Sequence, residues 1–189
     1  MTTEALVAFA TKYGSTAEIA TAIGDTLRAS GTDTEVRAAR DVNDVGPYDV
    51  VILGSGVYMN RWHGEAVGFA KRFANDLRER STWFFSSGPT GGTPKAEAAK
   101  VEVLAAQGPP PGQAGKLAEW IGIRGHATFG GKVGANMGGI FTRWIPKGDW
   151  RDFAAISEWT SAIARAASGM NGNHFETDIA REEPTAVIA

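Results

Sequence analysis

Short apolar runs alternate with segments of three-and-four spacing through the first half of the chain. Ala5–Ala10 is brief, apolar and followed by a polar, glycine-containing turn, which predicts a buried strand. From Ala17 to Arg28, Ile19, Ala20, Ile23 and Leu27 recur at helical spacing, and Gly31 stands where a C-terminal cap is expected. Thr34–Ala38 reads as a shorter strand. Tyr48–Gly54 is β-branched and apolar on both alternating sides, the pattern of a strand at the centre of a parallel sheet. Gly64–Arg78 returns to helical spacing through Val67, Ala70, Phe73, Ala74 and Leu77, and Thr82–Ser86 is a fourth strand. This alternation predicts an open α/β sheet with helices on both faces.

The second half is less regular. Residues 90–125 form an insertion rich in glycine, proline and alanine, with a Gly108-Pro109-Pro110-Pro111-Gly112 break between two expected helices, Lys95–Ala106 and Gln113–Ile121. Ala127–Val133 is expected as the last strand. A connection carrying Phe141, Trp144 and Ile145 leads to a closing helix, Trp150–Ala167. No periodicity continues beyond Ser168, so one domain over 1–168 and a loose tail over 169–189 are expected.

Composition narrows the function classes. The chain has 189 residues, 43% of them hydrophobic, enough for one full-sized core. A formal net charge of -2 and the lack of a dense basic run argue against nucleic acid as a partner. With no cysteine, disulfides, iron–sulfur clusters and thiol nucleophiles are excluded. The absence of cysteine, of a secretory-type N-terminus and of a long apolar span fits a cytoplasmic protein. The three histidines are too scattered for a metal site, and no G-x-S-x-G elbow is present, so neither a metal nor hydrolysis is expected.

The most informative segment is Thr11-Lys12-Tyr13-Gly14-Ser15-Thr16, between the first strand and the first helix. Gly14 permits close approach of an anion, three hydroxyls supply donors, and the helix start offers unpaired N–H groups. The same residues admit a simpler reading, a capping box in which Ser15 caps the helix and Glu18 answers it. Competing phosphate motifs fail. The P-loop pattern is absent, and Met59 stands where Gly54-Ser55-Gly56 would need a third glycine.

Three segments, TKYGST, VVILGSGVYMNRWH and WFFSSGPTG, resemble the cofactor loops of the flavodoxin superfamily in order and spacing. G-S-G-V-Y-x-x-x-W-H, the F-G-G-K run and G-D-W-R-D-F-x-A-I further resemble the branch containing menaquinone-dependent protoporphyrinogen oxidase. The resemblance implies a three-layer α/β sandwich whose five-stranded parallel sheet has the order 2-1-3-4-5, and flavin mononucleotide (FMN) as cofactor. It implies that Thr11, Lys12, Tyr13, Gly14, Ser15 and Thr16 hold the phosphate. Ser55, Gly56, Val57, Tyr58 and Trp62 would wall the ring, with Tyr58 and Trp62 either stacked on it or packed in the protein. Ser86, Ser87, Gly88, Pro89 and Gly91 would meet its pyrimidine edge or merely end a strand.

Three functions stay open at this point: an oxidoreductase of the protoporphyrinogen oxidase type delivering electrons to a quinone, an electron carrier between a reductase and an acceptor protein, and a cofactor-free binding module. Partners are accordingly a quinone, a porphyrinogen or a reductase. The mixed apolar and basic stretch 140–147 suggests either a peripheral membrane contact or a connection packed on the core.

Overall fold

A computed structural model describes residues 3–88, 110–133 and 148–176. Its strands are β1 (Glu4–Ala10), β2 (Asp33–Ala38), β3 (Val50–Tyr58), β4 (Arg61–Trp62), β5 (Ser81–Gly88), β6 (Gly125–Gly130), β7 (Lys132–Val133) and β8 (Gly148–Asp149). Its α-helices are α1 (Ser15–Ala29), α2 (Gly64–Arg72), α3 (Ala74–Arg78), α4 (Gln113–Ile121) and α5 (Phe153–Glu176).

Five strands run parallel in the spatial order β2-β1-β3-β5-β6. Leaving aside the two-residue β4, this is the 2-1-3-4-5 arrangement. The strands are apolar on both sides because both sides are covered. Leu6, Ala8, Val51, Leu53 and Phe84 pack with α2, α3 and α4 in one core. Ala5, Val7, Val50, Ile52, Trp83 and Phe85 pack with α1 and α5 in the other. Adjacent residues thus serve opposite cores, as a strand's two-residue repeat requires.

Helix α1 ends as its sequence predicts. Gly31 has φ +86°, its N–H bonds the Arg28 carbonyl and the Thr32 N–H bonds that of Leu27, which is a Schellman motif. Gln113–Ile121 is helical over the expected range.

Elsewhere the boundaries differ. Strand β3 continues past Gly54 to Tyr58, then turns back into β4 through Met59 and Asn60, both at positive φ. Gly54 is required there, because a Cβ would lie 1.9 Å from Phe85 Cζ. The single helix expected over 64–78 breaks at Phe73, where the backbone leaves helical geometry while Arg72 bonds the carbonyls of Ala39 and Val42. Strand β6 lies two residues earlier than expected and stops at Gly130. Lys132–Val133 instead pairs antiparallel with Gly148–Asp149 in a separate ribbon. Helix α5 begins at Phe153, with the Asp152 carboxylate accepting the Ala155 N–H, and its backbone stays helical to Glu176, beyond the boundary expected at Ser168. The expected helix Lys95–Ala106, the 140–147 stretch and the tail from 177 lie outside the described residues.

Candidate functional site

The chain crosses from β1 to an outer strand on one side, and from β3 to β5 on the other, so the carboxyl ends of β1 and β3 form the topological switch point. The β1–α1 turn, the end of β3 and the end of β5 meet there.

In the β1–α1 turn, Gly14 is the residue preceding the helix, with φ +90° and no atom within 4 Å of where a Cβ would be. The Gly14 N–H donates to Thr11 Oγ1 (3.0 Å). Its carbonyl accepts from Ala17 and Glu18. No side chain caps the helix. The capping-box alternative therefore fails. Ser15 Oγ instead accepts the Lys132 N–H at 3.0 Å, and Glu18 is engaged by Arg151. Among the described residues, the N–H groups of Ser15 and Thr16 have no hydrogen-bond acceptor. The Thr11 and Ser15 hydroxyls each accept a backbone N–H, which leaves their own protons to donate elsewhere.

The end of β3 supplies Gly56, Val57 and Tyr58. A Cβ on Gly56 would lie 2.9 Å from Tyr58 Cε2 and 3.3 Å from Thr16 Oγ1. The bare backbone thus lets the Tyr58 ring fold toward the start of α1. There it meets Tyr13 edge to face, ring centroids 5.9 Å apart, and Lys12 Nζ lies 5.2 Å from the centre of the Tyr13 ring. Burial raises the pKa of the Tyr58 phenol, against the opposing pull of a backbone hydrogen bond from Lys12.

Three candidate side chains are committed to internal bonds. Ser55 is fully buried; its hydroxyl donates to the Gly56 carbonyl and accepts the His63 N–H. Trp62, expected as one of two stacking groups, is only 6% exposed. It packs on Phe84 with ring centroids 5.0 Å apart, and its Nε1–H donates to Ser86 Oγ at 2.8 Å. Its ring belongs to the core beneath the site. Ser86 also shares a 2.8 Å hydrogen bond with His126 Nε2. His63 accepts the Glu65 N–H at the start of α2. Ser87 and Gly88 end β5 at the site, and the Gly88 carbonyl accepts the Gly131 N–H (2.7 Å). Pro89 and Gly91 lie outside the described residues.

Sequence reasoning missed the ribbon that closes one side of the turn. Besides Lys132, it brings Asp149 and Arg151 to α1. Arg151 Nε and the second guanidinium nitrogen grip Asp149 at 2.7 and 2.5 Å, while the third nitrogen reaches Glu18. The Arg151 hydrogen bonds hold the Asp149 carboxyl down at about 2. The same bonds raise the Arg151 pKa. Only G-D-W-R-D-F, noticed as a family-like segment, marked this region, and nothing in it named Glu18 as the partner.

Among the described residues, no group of three or more His, Cys, Asp or Glu is placed to hold a metal, and no helix is long and apolar enough to cross a membrane.

Residues 6–143 match the family model described as "Flavodoxin domain". None of the curated proteins matches the sequence. Among solved structures, a flavodoxin from the domain Archaea superposes with a TM-score of 0.54 at 14% identity, over 87% of this chain and 99% of that one. A Streptococcus pneumoniae flavodoxin gives 0.53 at 18% identity, over 86% and 99%. The rubredoxin oxygen:oxidoreductase from the anaerobe Desulfovibrio gigas gives 0.57 at 13% identity; 88% of this chain is aligned, but it spans only 36% of that protein.

Proposed function

The chain belongs to the flavodoxin domain family, and from that membership we propose that it is a redox protein holding FMN at the carboxyl ends of β1, β3 and β5. The observation that carries this reading is the β1–α1 turn. A glycine at φ +90°, two N–H groups without an acceptor among the described residues and two hydroxyls free to donate converge at a helix N-terminus. That donor set suits a phosphate monoester, and among the described residues no carboxylate hydrogen-bonds to it.

Thr11, Lys12, Tyr13, Gly14, Ser15 and Thr16 would hold the phosphate. Gly56, Val57 and Tyr58 would flank the ring, and Ser87 and Gly88 would meet its edge. Ser55, Trp62 and Ser86 support those loops from below. FMN, when bound, supplies one- and two-electron transfer. The protein's own residues bind and orient it, and Tyr58 and Tyr13 set an apolar, aromatic border at its entrance.

The finer reading is an oxidoreductase of the protoporphyrinogen oxidase type that passes electrons to a quinone. The G-S-G-V-Y-x-x-x-W-H, F-G-G-K and G-D-W-R-D-F-x-A-I segments support it. A second reading, an electron carrier, is favoured by a different observation: the chain covers 99% of the length of flavodoxins. Either role fits a cytoplasmic protein with a redox partner.

Anaerobic titration of the purified protein with FMN tests the cofactor. A saturable, perturbed flavin spectrum is expected, and no binding by the apoprotein refutes the proposal. Oxidation of a porphyrinogen coupled to reduction of a soluble menaquinone analogue is the expected activity. Reduction by a flavoprotein reductase without porphyrinogen turnover assigns the carrier role instead.

A further inference from the structure

Glu18 occupies the first turn of α1, where a carboxylate stabilises the empty helix end and opposes an incoming anion. Asp149 lies on the adjoining ribbon, whose Lys132 N–H reaches Ser15 and whose Gly131 N–H reaches the end of β5. Two carboxylates therefore stand beside a turn built to take a phosphate. Arg151 joins them, with its guanidinium bidentate on Asp149 and bonded to Glu18. Its side chain is 5% exposed, against 57% for Glu18 and 42% for Asp149, so the guanidinium is covered while both carboxylates meet water. Lys132 adds a second positive charge near Asp149. Arg151 and Lys132 together offset the two carboxylates; without Arg151, only Lys132 on the ribbon offsets the negative charge that Glu18 and Asp149 place beside the start of α1.

We propose that Arg151 is a positioning residue for the phosphate-bearing end of the flavin: it ties down Glu18 and Asp149 and thereby makes the β1–α1 turn prefer FMN over riboflavin. This rests on the FMN reading. Arg151 acts through Glu18 and the ribbon, without itself touching the flavin. Its contribution is electrostatic and falls only on the ligand that carries the phosphate.

The test compares the dissociation constants of FMN and riboflavin for the wild-type chain, R151M, E18Q and the double variant E18Q/R151M, by quenching of flavin fluorescence. R151M is expected to weaken FMN about tenfold and leave riboflavin unchanged, as a like charge near a helix N-terminus would. Adding E18Q to R151M restores most of the FMN affinity. E18Q alone tightens FMN severalfold without changing riboflavin, and it reads the same charge even if R151M fails to fold. Equal weakening of both flavins by R151M, no restoration by E18Q in that background, or no effect of E18Q alone on the FMN-to-riboflavin ratio overturns the proposal. Equal binding of the two flavins by the wild-type chain likewise overturns the proposal, whereas a wild-type chain that binds neither flavin overturns the FMN reading on which it depends.

Discussion

The centre of the sheet and the β7–β8 ribbon are held by opposite means. Strands β1, β3 and β5 bury apolar side chains on both faces, and each contributes to both cores. The ribbon is two short strands fixed to the rest by polar bonds: Lys132 to Ser15, Gly131 to Gly88 and Arg151 to Glu18. Burial of apolar area is non-directional, so many side-chain combinations achieve it. A clamp of charged groups depends on a few atoms in register. The frame should therefore fail gradually and globally, while the ribbon should fail locally and at the site.

Phe84→Ala gives the largest expected effect. Phe84, on β5, is fully buried and packs on Trp62, and its truncation should cost about 3–5 kcal/mol of global stability. Urea unfolding measures it; a loss below about 1 kcal/mol would mean the sheet is not packed as described.

Next is Trp62→Phe, which removes one donor to Ser86 while His126 keeps the hydroxyl partnered. About 1–2 kcal/mol is expected. Because Trp62 lies beneath the site, flavin affinity should change far less than it does on replacing Tyr58. A larger loss of flavin binding for Trp62→Phe than for Tyr58→Leu would restore Trp62 as a stacking group.

The smallest effect concerns the ribbon's carboxylate. Asp149 titrates at about 2 in the folded chain, below the 3.8 of an unperturbed Asp. Folding therefore favours its charged form. The stabilisation is present above about pH 4 and is lost as pH falls toward the folded value. The urea midpoint of Asp149→Asn should lie below that of the wild type at pH 6, with the gap narrowing as pH is lowered. A gap independent of pH would show that the ion pair with Arg151 contributes nothing.

Much of the fold could be read from local pattern. The runs at Ala5–Ala10 and Tyr48–Gly54, the spacing of Ile19, Ala20, Ile23 and Leu27, and Gly31 each carry their own physical signature within a few residues. Phe73 carries none; its departure from the helix accompanies contacts that Arg72 makes with carbonyls some thirty positions away. At the site, Gly14 and the hydroxyls around it were legible as an anion cradle or a cap, and only the fold showed that Ser15 does not cap the helix.

The alternation of strands and helices, the central place of β3 and the glycine-containing turn after β1 could be read from the chain, because they depend on near neighbours. What Ser15, Glu18 and Trp62 do depends on partners that the fold brings in from far along the chain. Ser15 is bonded by a residue 117 positions away and Glu18 by one 133 positions away, and Trp62 turns inward to Ser86. A polar group's role is set by whichever partner the fold brings within hydrogen-bond distance, and spacing along the chain does not carry that information.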